Sequence, residues 1–442
     1  MNASIKTFLA VVFCLAGGGI SAQNIKVFFP QYIGKEYVFV LNEGAKRDTV
    51  QHGIVGETGN VIVNLTIPEK YKGHTGIGHW SIINEKGINF VTGNEDFSVT
   101  CQDAVPDSNN TVYEGSAENE RMNRYESELS SLFQKVDSIF KAENMAENRN
   151  SLPPSLLKGM EPINQEYSAI RQQLTSDSSY AAFFWRTLNY IRGLGNRIYY
   201  KPGDEKDYFS DYIHYLTDDV DVTRLYYSGL WSPAITTTFN SSEDKTVWGE
   251  NMVKILKRTN PQRIFDALSY DLVIICEQFG WSDAEQVIIA YLESSGRLPA
   301  DPANLVNRAI LQSKVKIGDK APALNGEIPA NALLIFYESG CQHCQHQLAE
   351  ITGKYAEIVE KGYRVISIST DESQEVYEYH SKNFPWPDKL CDFKGFSGEN
   401  LKNYGVVGTP TLYLIDKNGI ILDRQPRLED IKALNLNNPP AP

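Results

Sequence analysis

The stretch FYESGCQHCQHQLAE at 336–350 constrains this 442-residue chain more than any other. Cys341 and Cys344 stand two residues apart, directly after the apolar run LLIFY and directly before a helix-like segment. Around them, residues 313–442 alternate strand and helix signals: ALLIFYE as a strand, 342–360 as a helix, YRVISIST as a strand and EVYEYHSKN as a helix. A short helix at ENLKNYG, a hairpin over TLYLIDKNGIILD turning at Lys417–Gly419, and a closing helix over RLEDIKAL complete the pattern. Strand–helix–strand order implies a parallel sheet with an antiparallel hairpin added at its edge. The C-x-x-C pair then falls where a strand turns into a helix.

A chain of this length exceeds one ordinary core, and its character changes twice upstream of the pair. Residues 23–113 carry the short β-branched and aromatic runs IKVFF, YVFVL, VIVNLTI, HWSII and INFVTG. They read as a β-rich accessory domain, a small antiparallel sandwich. Within it His74, His79 and Trp80 read as structural residues rather than a binding edge. Residues 114–312 read as an α-helical region: Met122, Tyr125, Leu129, Phe133, Val136 and Phe140 recur at helical spacing. Its many aromatics, Phe184, Trp185, Tyr190 and Trp231 among them, are expected to pack helices together.

Residues 1–22 have a single Lys6, an apolar run from Phe8 to Ala16 and small residues before Gln23, the pattern of a signal peptide cut after Ala22. Bulky Phe13 disfavours acylation of Cys14, so the reading is export to the periplasm or cell envelope rather than a lipid anchor. No later run approaches the roughly 20 apolar residues of a membrane span. The net charge of -13 argues against nucleic acid as a partner.

Five cysteines remain after export: Cys101, Cys276, Cys341, Cys344 and Cys391. Only one pair has motif spacing. Cys276, inside LVIICEQF, reads as a buried small hydrophobe, and Cys101 and Cys391 are read the same way. A metal reading of Cys341, His343, Cys344 and His346 lacks the second ligand pair that structural zinc sites use, so no metal is expected. At the first turn of a helix, unpaired N–H groups and the positive end of the helix dipole favour a thiolate. Cys341 would therefore attack and Cys344, one turn further in, resolve. His343 adds a cation when protonated, and Glu338 is a candidate for handling the proton.

The stretch GVVGTPTLYLID lies downstream of the pair, and GDKAPAL lies upstream at 318–324. With LLIFYESGCQHC between them, the last 125 residues or so resemble the thioredoxin superfamily, specifically its exported TlpA/ResA-like thiol-disulfide oxidoreductases. The resemblance implies a C-terminal α/β thioredoxin fold, a cis-proline at Pro410 against the dithiol, and a substrate groove formed with Thr409. It also implies protein disulfide or dithiol clients, a membrane thiol electron donor and action chiefly as a reductant; no bound cofactor is expected, because the two sulfurs carry both electrons. Three positions depart from the family pattern: Gly340 before the first cysteine, Ile335 at the buried-acid position of classical thioredoxins, and Gln347 where many relatives have glutamate. A peroxiredoxin-like peroxidase is the alternative enzyme, though the strand–helix junction has no T-x-x-C. A binding or assembly protein with an accessory redox domain is the non-enzymatic alternative.

Overall fold

The computed structural model describes residues 23–436 except 57–61, 72, 84–86, 94, 104, 143–153, 199–204, 302 and 435. The expected signal peptide, its cleavage site and Cys14 lie outside the described residues. The chain forms two compact units: residues up to Tyr208 with Arg224–Ile235, and Phe209–Thr223 with the residues from Thr236 onward.

The first unit begins with eight strands: β1 (Asn24–Phe28), β2 (Glu36–Glu43), β3 (Lys46–Ile54), β4 (Ile62–Thr66), β5 (Gly76–Ile82), β6 (Gly87–Thr92), β7 (Phe97–Cys101) and β8 (Thr111–Glu114). They make two four-stranded sheets, β4-β1-β7-β8 and β3-β2-β5-β6. The pairing is not antiparallel throughout, because β1 runs parallel to β7. Buried aromatics bring the sheets together, with Phe90 edge-on to Phe97 at 5.6 Å. Trp80 is fully buried and His74 stacks on Tyr227 at 4.6 Å, which matches their structural reading. Helix α1 (Ala117–Ala142) is tied to β6 through buried Asn119, whose carboxamide accepts from the Val91 N–H at 2.7 Å and donates to the Val91 carbonyl at 3.0 Å. Helices α2 (Pro154–Ser176) and α3 (Tyr180–Ile191) pack on α1. Tyr125, Phe184, Trp185 and Tyr190 are buried there, as helical spacing requires.

Three short helices follow, α4 (Glu205–His214), α5 (Val222–Tyr226) and α6 (Trp231–Thr237). The second unit then contains α7 (Lys245–Arg258), α8 (Gln262–Phe279), α9 (Ser282–Ser294) and α10 (Leu305–Lys314), followed by an α/β domain. Its sheet has the order β11-β10-β9-β12-β13, built from β9 (Ala332–Tyr337), β10 (Arg364–Ser369), β11 (Asp388–Leu390), β12 (Thr411–Ile415) and β13 (Ile421–Gln425). Strands β9, β10 and β11 are parallel, while β12 and β13 are antiparallel additions.

All six residues of β9 are buried, because the strand is central and covered on both faces. Leu333, Ile335 and Tyr337 enter one core with Leu348 and Ile351 of α11 (Gln342–Gly353). Leu334 and Phe336 enter the other with Leu401 of α14 (Glu399–Asn403) and Tyr404. Helices α12 (Tyr355–Glu360) and α13 (Gln374–Ser381) complete the domain.

Two elements of this α/β domain differ from expectation. The helix expected over 342–360 is broken at Lys354, which caps α11 with φ -100° and ψ 8°. The closing helix is replaced by 3₁₀ turns at Leu428–Asp430 and Lys432–Leu434. Leu428, Ile431 and Leu434 are all buried, and their spacing of three suits the three-residue turn of a 3₁₀ spiral better than an α-helix.

Candidate functional site

Strand β9 ends at Tyr337, and Glu338, Ser339 and Gly340 carry the chain to Cys341, the N-cap of α11. The Cys341 N–H donates to the Glu338 carbonyl at 3.1 Å, closing the turn. Cys341 Sγ accepts from the Cys344 N–H at 3.3 Å, so the sulfur does the work of a capping oxygen on the first turn. Cys341 is half-buried and Cys344 fully buried, one turn inside. Burial pushes the Cys344 thiol up to about 12, with its hydrogen bond to Cys341 acting in the same direction. The outer sulfur is thus reachable and accepts from one helix N–H, while burial holds the inner one protonated.

The Thr409–Pro410 peptide is cis, and the Thr409 carbonyl lies 3.9 Å from Cys341 Sγ. A cleft of about 560 Å³ opens beside it, lined by His343, Gln347, Thr409, Pro410, Pro426 and Arg427 among others. The fold therefore brings Cys341, Cys344, Thr409 and Pro410 together. His343 is exposed on the cleft wall. Glu338 is exposed as well, and it meets the dithiol turn through its carbonyl. Gln347 is buried and accepts from the Leu428 N–H at 2.7 Å, joining α11 to the closing 3₁₀ turn.

Sequence reasoning missed a buried carboxylate behind the turn. Asp371 is 7% exposed, and its oxygens accept from the Ser339 N–H at 3.1 Å, the Ser339 hydroxyl at 2.5 Å and the Ser369 hydroxyl at 2.7 Å. No local sequence signal marks it, because the parallel register brings it there: Ser369 pairs with Tyr337, which puts Asp371 level with Ser339. Of the other cysteines, two are buried as expected and Cys391 is not fully so. Cys276 is buried and pushed up to about 12 by burial, and Cys101 is buried and Cys391 half-buried, both raised first by burial. No helix among the described residues is long and apolar enough to cross a membrane.

The sheet order, the dithiol at a helix start and the facing proline define a thioredoxin-like C-terminal domain. Residues 322–424 match the model of the AhpC/TSA family. The chain is similar to thiol-disulfide oxidoreductase ResA of Bacillus thuringiensis subsp. konkukian, 30% identical over 89 residues, which are 20% of this chain and 50% of that protein. It is also similar to human nucleoredoxin, 28% identical over 91 residues, 20% of this chain and 21% of that one. The chain thus spans about half the length of the ResA relatives it matches. Among solved structures, a thiol-disulfide oxidoreductase from Bacteroides fragilis is 29% identical, with 27% of this chain and 96% of that chain covered and a TM-score of 0.23.

Proposed function

We propose that this protein is an exported thiol-disulfide oxidoreductase that exchanges disulfides with protein clients through Cys341 and Cys344. The observation that carries the reading is the asymmetry of the pair: a reachable sulfur capping a helix and a buried, protonated sulfur one turn inside. The Cys341 thiolate attacks one sulfur of a client disulfide; an S–S bond forms between them as the client's bond breaks and its other sulfur leaves as thiolate. Cys344 then attacks Cys341 Sγ, releasing the second client sulfur, and its proton passes to a departing thiolate. Two electrons move from the dithiol to the client, and no cofactor takes part.

In this reading Thr409 and Pro410 line the groove for the client segment, while His343 and Glu338 tune the dithiol's proton affinity. The favoured direction is reduction, with a membrane thiol donor restoring the dithiol in the periplasm or cell envelope after removal of residues 1–22. The regions 23–113 and 114–312 serve as accessory parts to the domain at 313–442. Two sulfurs with distinct exposures suit exchange better than the peroxidase alternative, which needs one cysteine activated toward peroxide.

A Cys344→Ser variant leaves the mixed disulfide unresolved. It should accumulate client adducts through Cys341 that release on reduction, and a variant that recovers no such adducts would refute the scheme.

A further inference from the structure

Behind the dithiol turn stands a carboxylate that the exchange chemistry itself does not use. Asp371 lies just past the end of β10, buried, with both oxygens occupied by the Ser339 N–H, the Ser339 hydroxyl and the Ser369 hydroxyl. Ser369 Oγ in turn accepts from the Asp371 N–H at 3.0 Å. Ser339 is 1% exposed, and its carbonyl accepts from Gln345 Nε2 on α11 at 2.9 Å. Every polar group of Ser339 is therefore taken, by a carboxylate from the neighbouring strand on one side and by the dithiol helix on the other. Among the described residues no lysine, arginine or histidine pairs with Asp371, so hydrogen bonds alone satisfy it.

A buried carboxylate without a cation is costly unless its donors are well aligned. Burial raises the Tyr337 phenol and the Cys391 thiol, and Asp371 acts in the same direction on both as a smaller contribution. The Cys391 thiol donates to the Asp371 carbonyl at 3.3 Å. The clamp holds the residue two before Cys341, whose Sγ accepts from the Cys344 N–H and lies 3.9 Å from the Thr409 carbonyl.

We infer that Asp371 is a positioning residue for the dithiol: through Ser339 it fixes the Glu338–Cys341 turn and so the attacking geometry of Cys341. This rests on the exchange reading above and touches neither sulfur directly. Removing the carboxylate leaves the buried Ser339 N–H and hydroxyl without their acceptor, and the turn is freed to reorient. Asparagine keeps one carbonyl oxygen and restores part of the clamp.

The test compares full-length wild type, Asp371→Asn, Asp371→Ala and Ser339→Ala, each checked for folding by its melting transition. Two rates are read at pH 7: alkylation of Cys341 by iodoacetamide in the reduced protein, and turnover of a disulfide-linked peptide. The expected result is a kcat at least tenfold lower in Asp371→Ala with KM within twofold, a loss of about threefold in Asp371→Asn, and a Cys341 alkylation rate that changes in the same order. Ser339→Ala, which keeps the N–H bond, should fall between wild type and Asp371→Ala. Folded variants whose kcat and alkylation rate equal wild type, whatever their melting temperature, would overturn the inference. If Asp371→Ala does not fold, Asp371→Asn and Ser339→Ala decide by the same criterion. A wild-type protein that alkylates at Cys341 but turns over no disulfide refutes the exchange reading, while the alkylation rates still judge Asp371.

Discussion

Cys344 offers the sharpest quantitative test of the site. Its thiol, ordinarily near 9, is pushed up to about 12, chiefly because the side chain is fully buried. At neutral pH that lowers the thiolate fraction about a thousandfold, equivalent to about 4 kcal/mol. The perturbation is Cys341→Ser, which leaves Cys344 as the single thiol of the pair while the serine hydroxyl still caps the helix. Native and urea-unfolded variant are treated with iodoacetamide at pH 8, quenched, digested and mapped by mass. Burial, the first cause of the shift, survives this substitution while the Cys341 contribution is lost, so native Cys344 should react at least about a hundredfold more slowly than in the unfolded chain, with a rate that rises as pH rises. The same burial links folding to pH. The folded state holds this proton more tightly than the unfolded chain, so its stability contribution is whole below about pH 9 and is lost as pH climbs through about 12. Native Cys344 reacting within tenfold of the unfolded chain at pH 8 would refute the reasoning, since the sulfur would then be neither buried nor held protonated.

Three further outcomes follow from neighbouring contacts. Gly405 has φ 60°, and a Cβ there would lie 2.1 Å from the Gln312 backbone nitrogen, so Gly405→Ala should destabilise the second unit by more than about 2 kcal/mol and lower Tm by roughly 4–8 °C in a calorimetric scan. Arg308 is buried, donates to the Val406 carbonyl at 2.9 Å and lies over the Phe396 ring, so Arg308→Ala should cost about 1–3 kcal/mol in urea unfolding. Cys276→Ala should leave disulfide turnover unchanged, because that thiol is buried and pushed up to about 12; a fall in turnover would assign it a redox part.

The site was legible in the sequence to the extent that local pattern determines it. An apolar run, a polar turn and a helix start place Cys341 and Cys344 at a strand end, and G-T-P-T downstream finds the facing loop. Asp371 was not legible, since its role depends on β10 lying beside β9 in one register, a contact 32 residues apart in sequence. Strand β3 was missed for a different reason: it lies at the edge of its sheet, none of its side chains is fully buried, and KRDTVQHGI therefore shows no apolar run. The closing segment misled because Leu428, Ile431 and Leu434 recur every three residues, a spacing that α and 3₁₀ spirals share over two turns. Gly405 and Arg308 likewise become meaningful once α10 is seen against the sheet domain. Residues that act through one element were readable, and of those that act across two, Thr409 and Pro410 were readable through the family resemblance alone.

Equilibration of the full-length protein with glutathione buffers of graded potential, followed by mass mapping of Cys341 and Cys344, tests the central claim most directly. The account predicts one reversible two-electron transition in which a 341–344 disulfide forms and breaks, with its midpoint on the reducing side of glutathione. Separate glutathione adducts on the two cysteines with no internal disulfide, or no transition at all, would contradict it.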